Sequence, residues 1–481
     1  KYGYDKYLGN CHMVPNHALI IMSLLFGDDD FQKTLMIVNT AGWDTDCNSG
    51  NVGCILGIKN GLDGLKSGPD YLSPINDIIY CPTAVGGETI TDALTESYKI
   101  INIARKMQKL EKKIIKNNAR YHFEMPGSTQ GWKVDTLNDN NQSTLLSNVE
   151  LKNDEGNFGL EINFKDLAEG LKSECLVDTF FPEHLTKLEG VARKTFFHYD
   201  LIATPIIYSG QKIKAQIISK AKKDLSIKLF VKYWGPNDQL IKMESDNFIF
   251  SSNDMNIIEW EVPSTYSNPI GQLGISISSN EKCSGKLILS YLDIYGEPKV
   301  HLTQPDHISN HPRKHTMHFE EKFYGQMWRN AWVKNLDKWE DRGKIFRVSN
   351  NIGSGIMFTG TDAWKNYSVE SKITFQSVSS GGLVARVQGL KRYYTFELCS
   401  NNKARIGKML YDFNTIKEVD FDVEFFRDYE MLFVVKNNKL MAYVNGELIL
   451  ECDDDNDILH EGGAGFVVAD GTMVSNEIYI S

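Results

Sequence analysis

Near Asn117 the spacing of apolar residues changes from a helical repeat to the two-residue alternation of strands, and this switch constrains the fold more than any other feature of the chain. Before it, Ala18–Phe26 is almost wholly apolar, as expected of a helix buried on most sides, and Gly27 followed by Asp28, Asp29 and Asp30 marks its end and the next start. Phe31–Thr40 reads as a second helix. A third is expected from Thr89, with Asp92 three residues on as a capping-box-like start. Its apolar positions are Ile90, Leu94, Ile101, Ala104, Met107, Leu110 and Ile114, and its end is the basic run Lys109–Lys116, a solvated face suited to a helix C-terminus.

After the switch come short β-branched and aromatic stretches, such as 212–218, 226–234 and 286–294, separated by Gly, Pro, Asn and Asp clusters. They predict an antiparallel β-sandwich. Residues 301–314, with Pro305, Pro312, His301, His307 and His311, have neither period and read as a linker. A second alternating block follows, with 367–375, 430–436 and 439–444 as strands and Asn437-Asn438 and Asn445-Gly446 as hairpin turns. The expected fold class is therefore multidomain: an all-α segment over 1–117, then two all-β sandwiches over 118–300 and 315–481. No short-period repeat appears, which disfavours a solenoid or propeller.

Composition narrows the partners. A chain of 481 residues with net charge −10 is a poor match for the phosphate backbone, so nucleic acid is not expected. The apolar run Ala18–Phe26 falls short of the roughly 20 residues that span a bilayer, so no membrane span is expected. Eight cysteines without C-x-x-C spacing suggest neither a disulfide scaffold nor a zinc cluster, and they leave the redox compartment open. With Lys at position 1 and no leader, the chain reads as a fragment.

One segment carries chemistry. In Asn39-Thr-Ala-Gly-Trp-Asp-Thr-Asp-Cys-Asn, Asp44 and Asp46 alternate across Thr45 in a glycine-preceded turn, so both carboxylates can converge on a point where a hard divalent cation would sit. The plainer reading has Asp46 capping a helix from Asn48 and Asp44 making an Asx-turn. Residues 10–57, comprising His12-Met-Val-Pro-Asn16, the apolar helix, Gly42–Asn48 and Val52–Gly57, resemble the C-terminal part of the ADP-ribosylglycohydrolase family. The resemblance covers about the first 117 residues and implies an incomplete version of that all-helical fold.

It further implies a site for two Mg²⁺ or Mn²⁺ ions, with Asp44, Asp46 and the Cys47 position as metal ligands and His12, Trp43 and Asn48 beside the substrate. Cys47 departs from the family's Thr or Ser, and a thiol is a poor ligand for a hard ion. The family's earlier acidic motif would lie upstream of Lys1, so the parent protein is expected to be the hydrolase and this fragment to lack half of its site. The implied reaction is metal-assisted hydrolysis of a glycosidic bond at a ribose-like ring, with an ADP-ribose-like substrate. No catalytic base is identified.

Between Tyr121 and Ser481 no nucleophile, base and orienter assemble, and the acids Glu320-Glu321 and Asp453–Asp455 read as opposite-facing or solvated. Tryptophans 132, 234, 260, 328, 332, 339 and 364, with Tyr393 and Tyr394, are the aromatic residues available for sugar stacking, although core packing accounts for most. Gly131-Trp132 and Ile258–Pro263 resemble galactose-binding-like carbohydrate modules. Gly353–Gly360, Asp362–Tyr367, Gly382–Arg386 and Tyr443–Glu447 resemble the concanavalin A-like lectin/glucanase superfamily. By that resemblance Arg386 and Tyr394 lie on a concave sheet as glycan contacts. Strand alternation sets Leu383 and Ala385 on one face, with Gly382, Val384 and Arg386 on the other. No D-x-[DN]-x-[DN]-G loop suggests calcium. The leading expectation is thus a secreted or surface-exposed hydrolase fragment with glycan-docking sandwiches. The alternative is a non-enzymatic carbohydrate-binding protein with a remnant helical part.

Overall fold

The computed structural model describes residues 3–9, 11–81, 85–136, 143–151, 156–186, 203–235, 238–305, 326–340 and 345–481. It divides into two units, Lys1–Asn76 and Asp77–Ser481. His307, His311, Pro312, Glu320 and Glu321, and with them most of the expected linker, lie outside the described residues.

The first unit is helical: α1 (Met13–Phe26), α2 (Phe31–Thr40) and α3 (Thr45–Gly64). Asp30 caps α2 by accepting from the Lys33 amide at 2.6 Å. A Cβ on Gly27 would come within 1.8 Å of Thr34 Oγ1, so only glycine lets the end of α1 approach α2 so closely. The core is small, formed by Phe31, Val38, Val52 and Leu56 with Ile20, Leu24, Leu35, Leu65 and Tyr71 around it. This corrects the expectation for α1. Only its Pro15 and Ser23 are buried, while Leu25 and Phe26 are 72% and 66% exposed. Uniform hydrophobicity does not report burial where too few elements surround a helix.

The second unit opens with the hairpin Ile78–Tyr80 and Ile90–Asp92, paired antiparallel. Residues 89–92, expected in a helix, are therefore turn and strand. The helix α4 (Ala93–Met107) begins after Asp92, which is itself the cap and accepts from the Thr95 amide at 2.8 Å. It also stops early: Lys109 is left-handed (φ 56°), and the chain turns back along α4. Asn102 holds the Lys113 amide at 2.8 Å, and Arg105 Nε donates to the Glu111 carbonyl at 2.6 Å. Leu110 and Ile114 are exposed, so no apolar burial favoured extending the helix through them.

All sheets beyond α4 are antiparallel, as expected. In the middle sandwich one sheet runs 248–250, 225–234, 270–278, 172–178, 133–134, and the other 255–261, 212–219, 283–295, 158–167, 145–150. Their facing sides form a core that includes Trp132, Ile217, Leu229 and Leu289. In the terminal sandwich the strands run in the order 412–420, 403–410, 392–399, 380–387, 463–475, 367–377, 428–436, 439–444, 447–453. The long strand 463–475 pairs with both 380–387 and 367–377, so one sheet bends over to close its own core. Both asparagine turns are tight hairpins, with Asn437, Asn445 and Gly446 at positive φ. Residues 301–303, expected in the linker, belong to the strand Val300–Thr303, which pairs with Glu477–Ile480. Trp132, Trp234, Trp328, Trp332 and Trp364 are all buried. Among the described residues no helix is long and apolar enough to cross a membrane.

On the outer side of the middle sandwich, Glu244 receives Lys242 at 2.7 Å, Lys228 at 3.0 Å and Lys172 at 3.8 Å. Partial burial pushes its carboxyl up, but these hydrogen bonds and charges outweigh that and hold it at about 2, against an ordinary 4.5. A carboxylate depressed on folding contributes stability above its unfolded pKa and loses it as pH falls through the folded one. The thermal midpoint should therefore drop as pH is lowered from about 4.5 to about 2, and Glu244→Gln should flatten that dependence in calorimetry.

Candidate functional site

The turn joining α2 to α3 is built from left-handed backbone. Gly42 has φ 79°, which glycine adopts freely, and Asp44 has φ 35° and ψ 57°, which costs a non-glycine residue about 1 kcal/mol. The helix α3 starts at Thr45, three residues earlier than expected. Asp44 occupies its cap position without making a side-chain cap bond, so its carboxylate is free to turn outward. Asp46 lies in the first turn, not at the cap. Ligand atoms of Asp44, Asp46 and Cys47 all lie within 4.8 Å of one another.

Several neighbours hold this cluster. Asn16, in the first turns of α1, donates from Nδ2 to Asp44 Oδ2 at 2.7 Å, and its own Oδ1 is buried without a partner among the described residues. The Cys11 and Cys47 thiols both hydrogen-bond the Asp44 carboxylate. That bond and the negative charge of Asp44 hold both thiols above the usual range. A thiol kept protonated is a weak metal ligand. The carboxylate pair and the unpartnered amide oxygen of Asn16 fit a hard divalent cation, whereas the two thiols do not. Asn16 and Cys11 were absent from the expected ligand set. Their only sequence signal is that Asn16 closes the His12–Asn16 stretch and Cys11 precedes it, because α1 reaches Asp44 only through tertiary packing.

The expected substrate contacts fare differently. His12 caps α1, its Nδ1 accepting from the Val14 amide at 3.3 Å. Trp43 is 8% exposed, with the Tyr4 ring 3.9 Å from its own and the Tyr4 hydroxyl donating to the Gly42 carbonyl. Asn48 corrects the expectation. It is 1% exposed and donates from Nδ2 to the Trp43 carbonyl at 3.0 Å, so its side chain closes the turn from inside instead of facing outward to a substrate.

The proposed glycan pair in the terminal sandwich is also corrected. Arg386 is 1% exposed and Tyr394 fully buried. Strand alternation fails at Arg386 because it has φ 48° and sits in a register shift between Val384 and Val387. Its guanidinium turns inward to the carbonyls of Lys365 (2.9 Å), Asn437 (2.5 Å) and Leu459 (2.8 Å). Tyr394 donates to Asp454 Oδ2 at 2.6 Å, which also receives Lys408 at 2.6 Å. Asp454, expected in a solvated turn, is thus a buried partner. Beside α4 lies a trough of about 1380 Å³ that sequence reasoning missed. Its walls mix Lys99, Lys106 and Lys113 with Asp362 and Glu461, so it presents no single sign of charge.

Residues 3–106 match the family model of the ADP-ribosylglycohydrolases. No curated protein matches the chain significantly. Among solved structures, the carbohydrate-binding module CBM66 from Bacillus subtilis aligns at 18% identity over 31% of this chain and 95% of its own, with TM-score 0.29. A Bacillus subtilis protein of unknown function with a galectin-like fold aligns at 11% identity over 32% of this chain and 90% of its own, TM-score 0.27. The CBM22-1 xylan-binding domain from Paenibacillus barcinonensis aligns at 11% identity over 36% and 90%, TM-score 0.24.

Because Arg386 is buried and donates to three backbone carbonyls, Arg386→Ala should lower unfolding free energy by about 3 kcal/mol in urea titration. An Arg386→Ala protein as stable as the parent would contradict this structural role.

Proposed function

We propose that the segment 3–106 supplies a carboxylate set for divalent cations used in glycosidic-bond hydrolysis, and that the β-sandwiches hold the protein on a glycan-bearing surface outside the cell. The observation that carries the first part is the Asp44, Asp46 and Cys47 cluster within 4.8 Å at the head of α3, inside the family-matched segment. Asp44 and Asp46 would hold Mg²⁺ or Mn²⁺ through oxygen, with Asn16 Oδ1 at hand as a neutral donor. Bound there, such ions supply Lewis acidity and an activated water for attack at an anomeric carbon of an ADP-ribose-like substrate.

The chain's own residues do the positioning. Left-handed Asp44 aims its carboxylate, the Asn16 amide fixes one of its oxygens, and Asn48 closes the turn that carries both acids. The thiols of Cys11 and Cys47 favour the second reading, a glycan-binding protein whose helical segment no longer catalyses, because they stand where a hard-ion site wants oxygen.

Calorimetric titration of the full chain with Mn²⁺ tests the metal reading. Weak binding is expected, reduced at least about tenfold by Asp44→Asn or Asp46→Asn. Cys47→Thr should strengthen it, since a hydroxyl oxygen suits a hard ion better than a thiol. Binding that survives both aspartate substitutions would refute the assignment. Release of ADP-ribose from an ADP-ribosylated substrate separates the two readings: turnover that requires Mg²⁺ or Mn²⁺ supports the hydrolase, and metal binding without turnover supports the second.

A further inference from the structure

With Arg386 and Tyr394 inside the core, the outer face of the strands 380–387, 392–399, 403–410 and 412–420 presents a different arginine. Arg405 lies directly across from Glu397 on one side and Glu418 on the other. Glu397 is 2% exposed, and its oxygens are filled by Ser380 Oγ at 2.6 Å, Thr395 Oγ1 at 2.8 Å and Arg405 Nη2 at 2.8 Å, with Nε at 3.4 Å. One edge of the guanidinium is therefore locked to a buried carboxylate.

Its plane is supported as well. The guanidinium carbon stands 4.6 Å from the centre of the Phe413 ring. That ring lies against Gly407, where a Cβ would come within 2.4 Å of it, so a side chain at 407 would displace the support. Nη2 also donates to Ser380 Oγ at 3.3 Å, so the open end is Nη1 alone, which has no protein partner among the described residues, and the side chain is 28% exposed. Glu418, on the neighbouring edge strand and exposed, forms no ion pair with it within 4 Å.

We infer that Arg405 and Glu418 form a binding site for a neutral sugar with vicinal hydroxyls, in which Arg405 donates from its open edge and Glu418 accepts a hydroxyl proton. This rests on the glycan-binding reading above and names the residues that would carry it. Three features of the site support it. The two N–H groups of Nη1 lie in the fixed guanidinium plane and can serve two adjacent oxygens. A guanidinium already fixed by Glu397 and Phe413 loses little conformational freedom on binding. The exposed Glu418 carboxylate would repel a uronic acid and so selects against charged sugars. Glu397 is a positioning residue, because its carboxylate is spent on Ser380, Thr395 and Arg405.

The test uses the full chain on an array carrying both neutral and uronate-containing oligosaccharides, followed by titration with the best neutral binder. Arg405→Lys keeps a charge facing Glu397 but loses the Nη1 donors and the stacking on Phe413, and should weaken binding about tenfold with a modest fall in melting temperature. Glu418→Gln, at an exposed position where folding is not at risk, should weaken binding as well. An array blank for every glycan would overturn the glycan-binding reading itself. Binding that both substitutions leave intact would overturn only the assignment to Arg405 and Glu418. Preference for uronates over neutral sugars would overturn the proposed ligand class.

Discussion

The second unit depends on one close junction in which two glycine turns and a buried hydroxyl meet. Tyr208, from the middle sandwich, inserts into the core of the terminal one. Its hydroxyl bonds Thr359 Oγ1 at 2.8 Å and receives the Gly360 amide at 2.9 Å, and its ring meets Trp364 edge-on at 4.7 Å. Burial raises its pKa, which keeps it neutral and able to donate. The Gly86-Gly87 turn of the hairpin before α4 enters the same place: Thr204 donates to the Gly86 carbonyl at 3.1 Å, and a Cβ on Gly87 would come within 3.1 Å of Thr361 Cα. Three stretches far apart in sequence are thereby joined through backbone contacts that admit few side chains. This junction is why the hairpin and α4 belong with the sandwiches and not with the three preceding helices.

The helical unit applies a different economy. Its core is four residues with a few partly buried neighbours, yet it places Asp44 in a strained backbone region and surrounds that carboxylate with an amide and two thiols. Strain of this kind persists only where the surroundings over-determine it. Here the Asn48 to Trp43 bond, the Tyr4 to Gly42 bond and the Ser49 to Asn39 bond at 2.8 Å hold the turn from three directions. A matched sequence family and a strained acidic turn coincide at one spot, which is why the functional argument begins there.

Buried charge in the terminal sandwich sorts into two kinds. Arg386 and the Lys408, Asp454 and Tyr394 group spend their capacity on the protein itself, closing the end of the sandwich where loops would otherwise leave carbonyls unsatisfied. Arg405 spends only one edge. The difference is not visible in residue type, since both arginines sit in strands of similar composition. It follows from the backbone at the position itself: Arg386 has positive φ inside a register shift, whereas Arg405 pairs in register with Glu397 and Glu418, the shift beside it coming only after Ile406.

What the sequence determined by itself was local. The switch of apolar period near Asn117 separated a mainly helical stretch from the antiparallel sandwiches, because periodicity records which face each residue turns within its own element, but it did not show the hairpin at Ile78–Asp92 or the end of α4 at Met107. The paired acids Asp44 and Asp46 were legible because both lie in one turn, and Asn437-Asn438 and Asn445-Gly446 because Asn and Gly accept the positive φ that tight hairpin turns use, here at Asn437, Asn445 and Gly446. Tertiary structure alone decided the rest. The exposure of α1, the early end of α4 and the place of Val300–Thr303 in a sheet depend on which elements surround them. Asn16 and Cys11 joined Asp44 only once α1 lay against the turn. Arg386 was drawn inward by a bulge, and Arg405 was set between Glu397 and Glu418 by strand register. Neither leaves a trace in the spacing of residues along the chain, because both arise from contacts between segments the sequence keeps apart.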